Sequence, residues 1–335
     1  MGEGAGRLRS IPMKLPKIFY VAAYAVITAL AVFDPADALA QSIPISEMPL
    51  FSVSQQPPLM MIVMSRDEQL FNKAYPDYTD LDGNGQLDTT YNNAFEYTGY
   101  FDPNICYTYS SNQFAATSAA TTHQCGGTWS GNFLNWVTMS RLDMLRFVLY
   151  GGYRSTDTAT STVLERAPIP NDLHAWVKVY LGSDIGSFAP LTQSATKPGW
   201  SFCNATIGVG TPLGSPLMRA AQGTYTEWAA TASQQCTYGS GDNAPSGTDY
   251  TVRVTACGNA SFRESFCEKY TTSAGVASYK PVGLLQNYGE KGLMRFGLVS
   301  GTYSKPRSGG VLRLLNALAS SSKPAVPVAL SKAPL

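Results

Sequence analysis

The amino-acid sequence predicts an α/β fold in which a doubly wound sheet is present only in part. Residues 59–64 form a short apolar run behind Pro57-Pro58, as expected of a buried strand. Residues 131–150 carry apolar side chains at helical spacing, and residues 293–299 form a second apolar run. This order gives a β-α-β unit, but a parallel sheet needs several strands with helices on both faces. We therefore expect the opening part of a doubly wound sheet, interrupted by a long insertion.

The clearest single element is a helix predicted over residues 131–150. One face of it carries Leu134, Val137, Leu142, Leu145 and Leu149. Ser130 or Asn132 can cap its start, and Gly151-Gly152 can end it. Because further large apolar residues widen this face, the pattern favours a buried structural helix over a binding groove.

Fewer signals define the rest of the chain. Residues 70–130 are predicted to be loop-rich and residues 151–250 mostly irregular. Short strands are expected at residues 178–181 and 251–255, and a short helix at residues 283–288.

These patterns divide the chain into a leader, a lead-in, a main region and a tail. Residues 1–40 are predicted to be a signal peptide, followed by a polar lead-in over residues 41–58. The main region covers residues 59–312, with its insertion at about residues 151–290. Residues 313–335 form a tail of low complexity that contains no repeating pattern.

The leader has the three parts of a secretory signal. Its basic segment contains Arg7, Arg9, Lys14 and Lys17. Residues 18–33 carry no charge, and Ala38-Leu39-Ala40 supplies an A-x-A cleavage pattern. The uncharged run is shorter than the ~20 apolar residues of a membrane-spanning helix. We expect export to the periplasm or cell surface, with a retained N-terminal anchor as the alternative.

Composition narrows the class of protein. The net charge is +1, which gives no indication of a nucleic-acid partner. Charged residues make up 14% of the chain, against ~25% in ordinary globular domains. Ser, Thr, Gly, Asn and Tyr take their place, as in many exported surface proteins.

The cysteines predict disulfides. They are Cys106, Cys125, Cys203, Cys236, Cys257 and Cys267. An even number in an exported chain indicates up to three bridges, and six cysteines allow ~15 connectivities among which sequence cannot choose. We favour pairing of sequence neighbours, which gives 106–125, 203–236 and 257–267.

The sharpest local motif is an acidic loop that resembles the calcium loop of an EF-hand. Residues 80–88 read Asp-Leu-Asp-Gly-Asn-Gly-Gln-Leu-Asp. The ligand positions would be filled by Asp80, Asp82, Asn84, the carbonyl of Gln86, and Asp88. Gly85 permits the sharp turn at position 6. The motif predicts a Ca²⁺ site, with a plain polar turn as the alternative.

The loop departs from the EF-hand pattern at its last ligand. Position 12 is Tyr91, where a bidentate Glu is expected. We therefore expect weak calcium affinity or a ligand from outside the loop, for which Asp77 and Glu96 are candidates.

Several stretches taken together resemble the PilC/PilY family of type IV pilus biogenesis and pilus-tip proteins. They are the loop at residues 80–83, the segments 99–107 (GYFDPNICY), 129–136 (WSGNFLNW), 141–152, 154–158 (RSTDT) and 163–166 (VLER), and residues 294–297 (MRFG). They occur in the family's order over about residues 59–312, and the set is more specific than any single piece.

The resemblance implies fimbrium biogenesis, adhesion or surface sensing, with type IV pilus subunits, minor pilins or surface ligands as partners. It also implies that the fold is an incomplete von Willebrand A-like sheet with disulfide-bearing insertions. Such a domain carries Asp-x-Ser-x-Ser after its first strand, which Ser65 and Asp67 do not recreate. The family's C-terminal β-propeller has no counterpart here, so we expect a truncated member.

Two other functional classes stay open. One is an exported enzyme such as a hydrolase, although the chain has no G-x-S-x-G or H-E-x-x-H motif. Its two histidines, His123 and His174, lie far apart in sequence. The other is a non-functional remnant of the family. We expect a protein that is not an enzyme.

Overall fold

The computed structural model describes the parts of the chain that carry the predicted fold. These are residues 57–64, 68–169, 175–207, 214–229, 236, 247–271, 275–301 and 310–314. The predicted signal peptide, nearly all of the lead-in, Ser65, Asp67, His174 and the tail beyond residue 314 lie outside them. No helix within the described ranges is long and apolar enough to cross a membrane.

The regular secondary structure of the described residues is mostly β-strand, with two short α-helices. The strands are β1 (Leu59–Met64), β2 (Ile105–Ser110), β3 (Gln113–Ala119), β4 (Trp129–Ser130), β5 (Arg154–Asp157), β6 (Thr162–Glu165), β7 (Trp176–Tyr180), β8 (Trp200–Ile207), β9 (Ser215–Gln222), β10 (Thr248–Thr251), β11 (Arg253–Ala256), β12 (Cys267–Thr271), β13 (Ala277–Pro281), β14 (Arg295–Gly301) and β15 (Gly310–Leu314). The helices are α1 (Gly131–Thr138) and α2 (Arg141–Tyr150), with 3-10 turns at Glu68–Phe71 and Ile185–Ser187 and a π-helical turn at Leu285–Glu290.

The two predicted apolar strands are present and lie side by side. β1 pairs with β14 in parallel, from Leu59 beside Arg295 to Met64 beside Ser300. β15 adds to the other edge of β14 in antiparallel fashion. β1 was expected to be buried, but its apolar side chains are exposed on both faces, and Val63 is 79% exposed.

The region expected to be mostly irregular, residues 151–250, contains β5 to β9 and nearly all of β10. One sheet has the strand order β4-β2-β3-β11-β6-β5, and a second has the order β10-β9-β8-β7. The prediction for residues 151–250 located β7, through the strand expected at 178–181, but missed β5, β6, β8, β9 and β10. The expected strand at 251–255 is two strands, because the chain changes sheets at Val252, whose N–H donates to the Pro216 carbonyl at 2.9 Å.

The predicted long helix is also two helices. α1 ends at Thr138, and Ser140 caps α2 through a capping box in which its hydroxyl and the Asp143 carboxylate bond each other's backbone N–H. Ser130 caps α1, as expected, by accepting from the Phe133 N–H at 3.3 Å. Gly151 ends α2 in the left-handed conformation (φ 79°).

An aromatic core surrounds α1, every residue of which is buried. Phe133 stacks on Phe188 at a centroid distance of 6.0 Å and meets Phe202 edge-on at 5.3 Å. Tyr91 meets Phe133 and Phe188 edge-on at centroid distances of 5.1 and 5.0 Å, and its ring centroid lies 5.7 Å from that of Trp136. Edge-to-face pairs of this kind contribute about 0.5–1.5 kcal/mol beyond the area they bury.

Two asparagines of α1 hydrogen-bond the irregular chain that wraps it. Asn135 donates to the carbonyls of Tyr97 and Phe101, both at 2.7 Å, and accepts from the Phe101 N–H at 3.1 Å. Asn132 donates to the Phe95 carbonyl at 2.9 Å and accepts from the Tyr97 N–H at 2.7 Å. Residues 95–101 form no strand or helix, so these amides supply the partners that a buried backbone requires.

All three favoured cysteine pairs are disulfide-bonded. The bridges are Cys106–Cys125, Cys203–Cys236 and Cys257–Cys267, with Cα–Cα distances of 5.5, 5.5 and 5.7 Å. They tie β2, β8 and β12 to neighbouring loops. Each closes a short loop, which contributes ~3 kcal/mol in the chain-entropy account.

A buried carboxylate organises the loop inside the last disulfide. Glu264 accepts the Cys257 N–H at 2.7 Å and lies 3.5 Å from the Tyr107 hydroxyl. The same hydroxyl accepts the N–H of Asp102, and Asp102 accepts the Ser265 N–H at 2.6 Å. No cationic side chain pairs with Glu264 in the described chain, and burial raises the pKa of its carboxyl.

Removing the Asn135 amide should destabilise the whole molecule. Asn135→Ala leaves two carbonyls and one N–H buried without these partners, at about 1–3 kcal/mol for each group. We expect a loss of at least about 3 kcal/mol in the free energy of unfolding, measured by urea denaturation. Asn72→Ala is the control, because that amide donates only to Gln69 near the surface. Equal losses in both variants would contradict the assignment.

Glu264 should make stability depend on pH. Because its pKa is raised, its contribution is fully present below the ordinary value of 4.5 and is lost as the pH rises through the folded-state pKa. The free energy of unfolding, measured by urea denaturation at pH values between about 4 and 8, should therefore fall with rising pH in the wild type. In Glu264→Gln this fall should be absent. Glu268→Gln, at an exposed carboxylate 3.5 Å from Lys291, should leave it unchanged. A Glu264→Gln curve parallel to wild type would refute the prediction.

Candidate metal centre

The acidic loop at residues 80–88 is closed at its base by a short antiparallel bridge. The Tyr78 N–H donates to the Asp88 carbonyl at 2.9 Å, and the Asp88 N–H donates to the Thr79 carbonyl at 3.0 Å. The Asp88 carboxylate also accepts the Leu81 N–H at 2.9 Å. The two ends of the loop are therefore held together, as a chelating loop requires.

The loop brings three of the predicted ligands together. One carboxylate oxygen from each of Asp80, Asp82 and Asp88 lies within 4.8 Å of the others. Asp80 accepts three backbone N–H groups, from Gly85 at 2.9 Å, Gly83 at 2.7 Å and Asn84 at 3.1 Å. These N–H groups, that of Gly85 foremost, lower the pKa of Asp80, so its carboxylate is charged and fixed in place.

The central part of the loop turns at its two glycines. Gly83 and Gly85 adopt φ values of 74° and 85°, which an L side chain resists. Asn84 donates its amide to Asp82 at 2.9 Å and accepts the Gln86 N–H at 2.7 Å. The sharp turn predicted at Gly85 is thus observed, and Asn84 is held against the aspartates by its own hydrogen bonds.

The twelfth position of the loop belongs to the core. Tyr91 is 6% exposed, and its hydroxyl bonds Asn93 and Asn132. Burial raises the pKa of this hydroxyl above its ordinary range. Tyr91 is therefore no substitute for the missing bidentate acid.

The two outside ligands considered from sequence are not brought to the loop. Asp77 is held by Lys73 and by Lys178, whose Nζ lies 2.8 Å from Oδ1. Glu96 is exposed and is not part of the carboxylate cluster. Lys178 is fully buried over the Trp136 ring at 4.6 Å, and burial lowers its pKa to about 8. This ion pair anchors the chain just before the loop to β7.

Asn92 is a contact of the site that sequence reasoning missed. Its amide reaches Asp82 Oδ2 at 3.4 Å, and its carbonyl oxygen accepts the Ala94 N–H at 3.0 Å. Asn92 falls one residue beyond the EF-hand pattern, so only the path of the chain between the loop and Tyr91 reveals it.

The donor set fits a hard divalent cation. Three carboxylates and the Asn84 amide are oxygen donors, and within the described chain no Lys, Arg or His side chain pairs with Asp80, Asp82 or Asp88. Their mutual repulsion is unrelieved by protein charge, and a cation bound between them would relieve it. Without an acid at position 12, water or another ligand would complete the coordination.

A second group of metal-ligating residue types, Cys257, Glu264 and Cys267, does not form a comparable site. Both cysteines are joined in a disulfide, so neither offers a thiolate. The acidic loop is thus the better candidate metal centre among the described residues.

Comparisons with known proteins place this chain in a family. Residues 88–221 match the family model described as "PilY1 homolog, small alpha/beta domain". Two curated proteins of Xylella fastidiosa strain Temecula1 are similar, both named type IV pilus biogenesis factor PilY1 homolog. The first is 38% identical over 276 residues, which is 75% of this chain, and the second is 32% identical over 222 residues, which is 61%.

The described fold is mixed α/β, and the class of protein is defined by these relatives, both of which are named as type IV pilus biogenesis factors. The chain belongs to the PilY1 family. It covers 18% and 17% of the lengths of the two relatives. No solved structure matches it.

Proposed function

We propose that this chain is exported and acts in type IV pilus assembly or adhesion, with its acidic loop holding a calcium ion. The observation that carries the pilus role is its similarity, over three quarters of its length, to a protein named as a pilus biogenesis factor. Three disulfides and the leader pattern support export, because disulfides persist in oxidising compartments. Pilus subunits or minor pilins are the partners this role calls for.

The calcium proposal rests on the geometry of the loop. Three aspartate oxygens converge, and the Asp80 carboxylate is fixed and charged before any ion arrives. Because position 12 lacks an acid, the affinity should fall in the ~10⁻⁴–10⁻³ M range of extracellular modules. Such a site would be filled where external calcium is millimolar, and it would stabilise the fold by mass action.

We also propose that β1 and β14 belong to a von Willebrand A-like doubly wound sheet. Parallel strands with apolar side chains on both faces are normally covered by helices on both sides. β1 is exposed on both faces, with Leu59 50% exposed. The proposal predicts slower amide hydrogen exchange in the segment of one of the longer relatives that corresponds to residues 59–64 than in residues 59–64 of this chain. Equal exchange in the two proteins would count against it.

Calorimetry tests the calcium site. Calcium should bind the wild-type chain and raise its melting temperature, and Asp82→Asn should abolish both effects because it removes a charged oxygen. Asn84→Ala should weaken binding less, because the lost ligand is neutral. Asp249→Asn is the matched control, since that exposed carboxylate pairs with Arg219 far along the chain. No heat and no melting shift at several millimolar calcium would leave only a polar turn.

The pilus role is tested in cells that carry the gene. Deletion should reduce the number of surface pili, and the intact gene should restore them. The protein should lack its first 40 residues and be recovered outside the cytoplasm, which mass spectrometry of the envelope fraction can show. Wild-type piliation in the deletion strain would overturn the pilus role without bearing on calcium binding.

A further inference from the structure

A cleft lies beside the acidic loop and shares a wall with it. Its volume is about 390 Å³, within the ~300–1,000 Å³ range of small-molecule sites. It is lined by residues 87–93 together with Tyr180, Asp184 and Phe188. The segment that leaves the loop thus forms one side, and the turn after β7 forms the other.

The polar groups of the cleft include several with unused hydrogen-bonding capacity. Asp184 Oδ1 accepts the Tyr180 hydroxyl at 2.6 Å, while Oδ2 makes no hydrogen bond within the described chain. The Thr90 hydroxyl donates to the Val179 carbonyl at 3.4 Å and keeps its lone pairs. Asn92 has a second amide N–H beyond the one near Asp82. Donors and acceptors therefore face the same space.

Buried aromatic side chains form the floor of the cleft. Tyr91 and Phe188 are buried and meet edge-to-face at a centroid distance of 5.0 Å. At the rim, Leu87 is 62% exposed and offers an apolar surface next to the polar wall. A ligand in this cleft would need a C–H face for Leu87 and hydroxyl groups for the other side.

Charge selects among possible ligands. The lining contains Asp88 and Asp184 and no Lys, Arg or His, so an anionic ligand is disfavoured. Mixed donors and acceptors around an apolar floor suit a neutral molecule with many hydroxyl groups. We propose that this cleft is a binding site for a neutral saccharide, with the Asp184 carboxylate and the Thr90 hydroxyl as specificity-determining contacts.

The saccharide site goes beyond the proposed pilus role and does not require it. It is linked to the calcium proposal through two residues of the cleft: Asp88, which is also part of the loop, and Asn92, whose amide lies 3.4 Å from Asp82. Calcium bound in the loop would hold this wall in place, so saccharide binding should strengthen when calcium is present. Asp184 and Thr90 make no contact with the carboxylate cluster, so substitutions there should leave calcium binding unchanged.

The test measures the binding of a panel of neutral methyl hexopyranosides to the chain. Saturation-transfer NMR detects binding and calorimetry measures affinity, both in millimolar calcium. At least one glycoside should bind, and Asp184→Asn and Thr90→Val should each weaken it by about ten-fold, as for loss of a hydrogen bond to a charged or buried polar group. Glu227→Gln, at an exposed site far along the chain, is the control. The melting temperature of each variant shows that it is folded.

Three results would overturn the proposal. They are no binding by any glycoside, binding that is unchanged in both cleft variants, and binding of methylammonium in preference to every glycoside. Calcium titration of the same samples is a separate readout. Intact calcium binding beside absent glycoside binding would remove the saccharide site and leave the calcium loop standing.

Discussion

The structure depends on hydrogen bonds from side chains to a partly buried segment of irregular backbone. Residues 95–101 wrap α1 without joining a sheet, and although Glu96 and Thr98 are exposed, Tyr97 and residues 99–101 are buried. Backbone groups of Phe95, Tyr97 and Phe101 bond the side-chain amides of Asn132 and Asn135. An unpaired backbone group in that position costs free energy comparable to a lost hydrogen bond. α1 is completely buried, and it supplies those amides in addition to its aromatic side chains.

The same constraint sets the limits of the candidate metal centre. The loop leads directly into Tyr91, which the core takes up between Phe133 and Phe188. A glutamate at that position would place a carboxylate among aromatic rings, at a high desolvation cost. The loop therefore lacks a ligand at its twelfth position, and Tyr91 instead fixes the C-terminal end of the loop to the core. Lys178, paired with Asp77, holds the entrance in the same way.

Sequence patterns predicted the elements whose signal is local. The apolar run at 59–64 is strand β1, and the run at 293–299 overlaps strand β14, which spans Arg295–Gly301. The Asp80, Asp82 and Asp88 carboxylates converge as their spacing indicates. The helix break at Ser140 was missed because apolar spacing continues across it, although Ser140 and Asp143 form a local capping box. Side-chain partners that are distant in sequence could not be predicted from local patterns. Lys178, for example, lies 101 residues from its partner Asp77.

The strands missed in the insertion have a physical reason of their own. β8 carries buried polar residues: Ser201 donates to the Gly223 carbonyl, and Asn204 donates to the Val137 carbonyl at 2.9 Å. Arg166, also buried, donates to Asn204 at 2.6 Å. A strand whose buried side chains are polar and hydrogen-bonded does not show an alternation of apolar and polar residues. Its sequence therefore resembles that of a loop.

Charged residues are sparse in this chain. The acidic loop differs from other carboxylates in the groups that surround it. Asp157 lies between Arg154 at 2.9 Å and Lys280 at 2.7 Å, and these cations hold its pKa below the ordinary range despite burial. Within the described residues, Asp80, Asp82 and Asp88 have no such cation and bond only N–H groups. Asp157 thus has positive partners within the protein, and buried Glu264, which has none among the described residues, has a raised pKa that favours its neutral form. The loop carboxylates have no positive partner either, but they lie close together and the pKa of Asp80 is lowered, so their charge is not removed. That contrast is the physical reason for expecting the loop's partner to come from solution as a divalent ion.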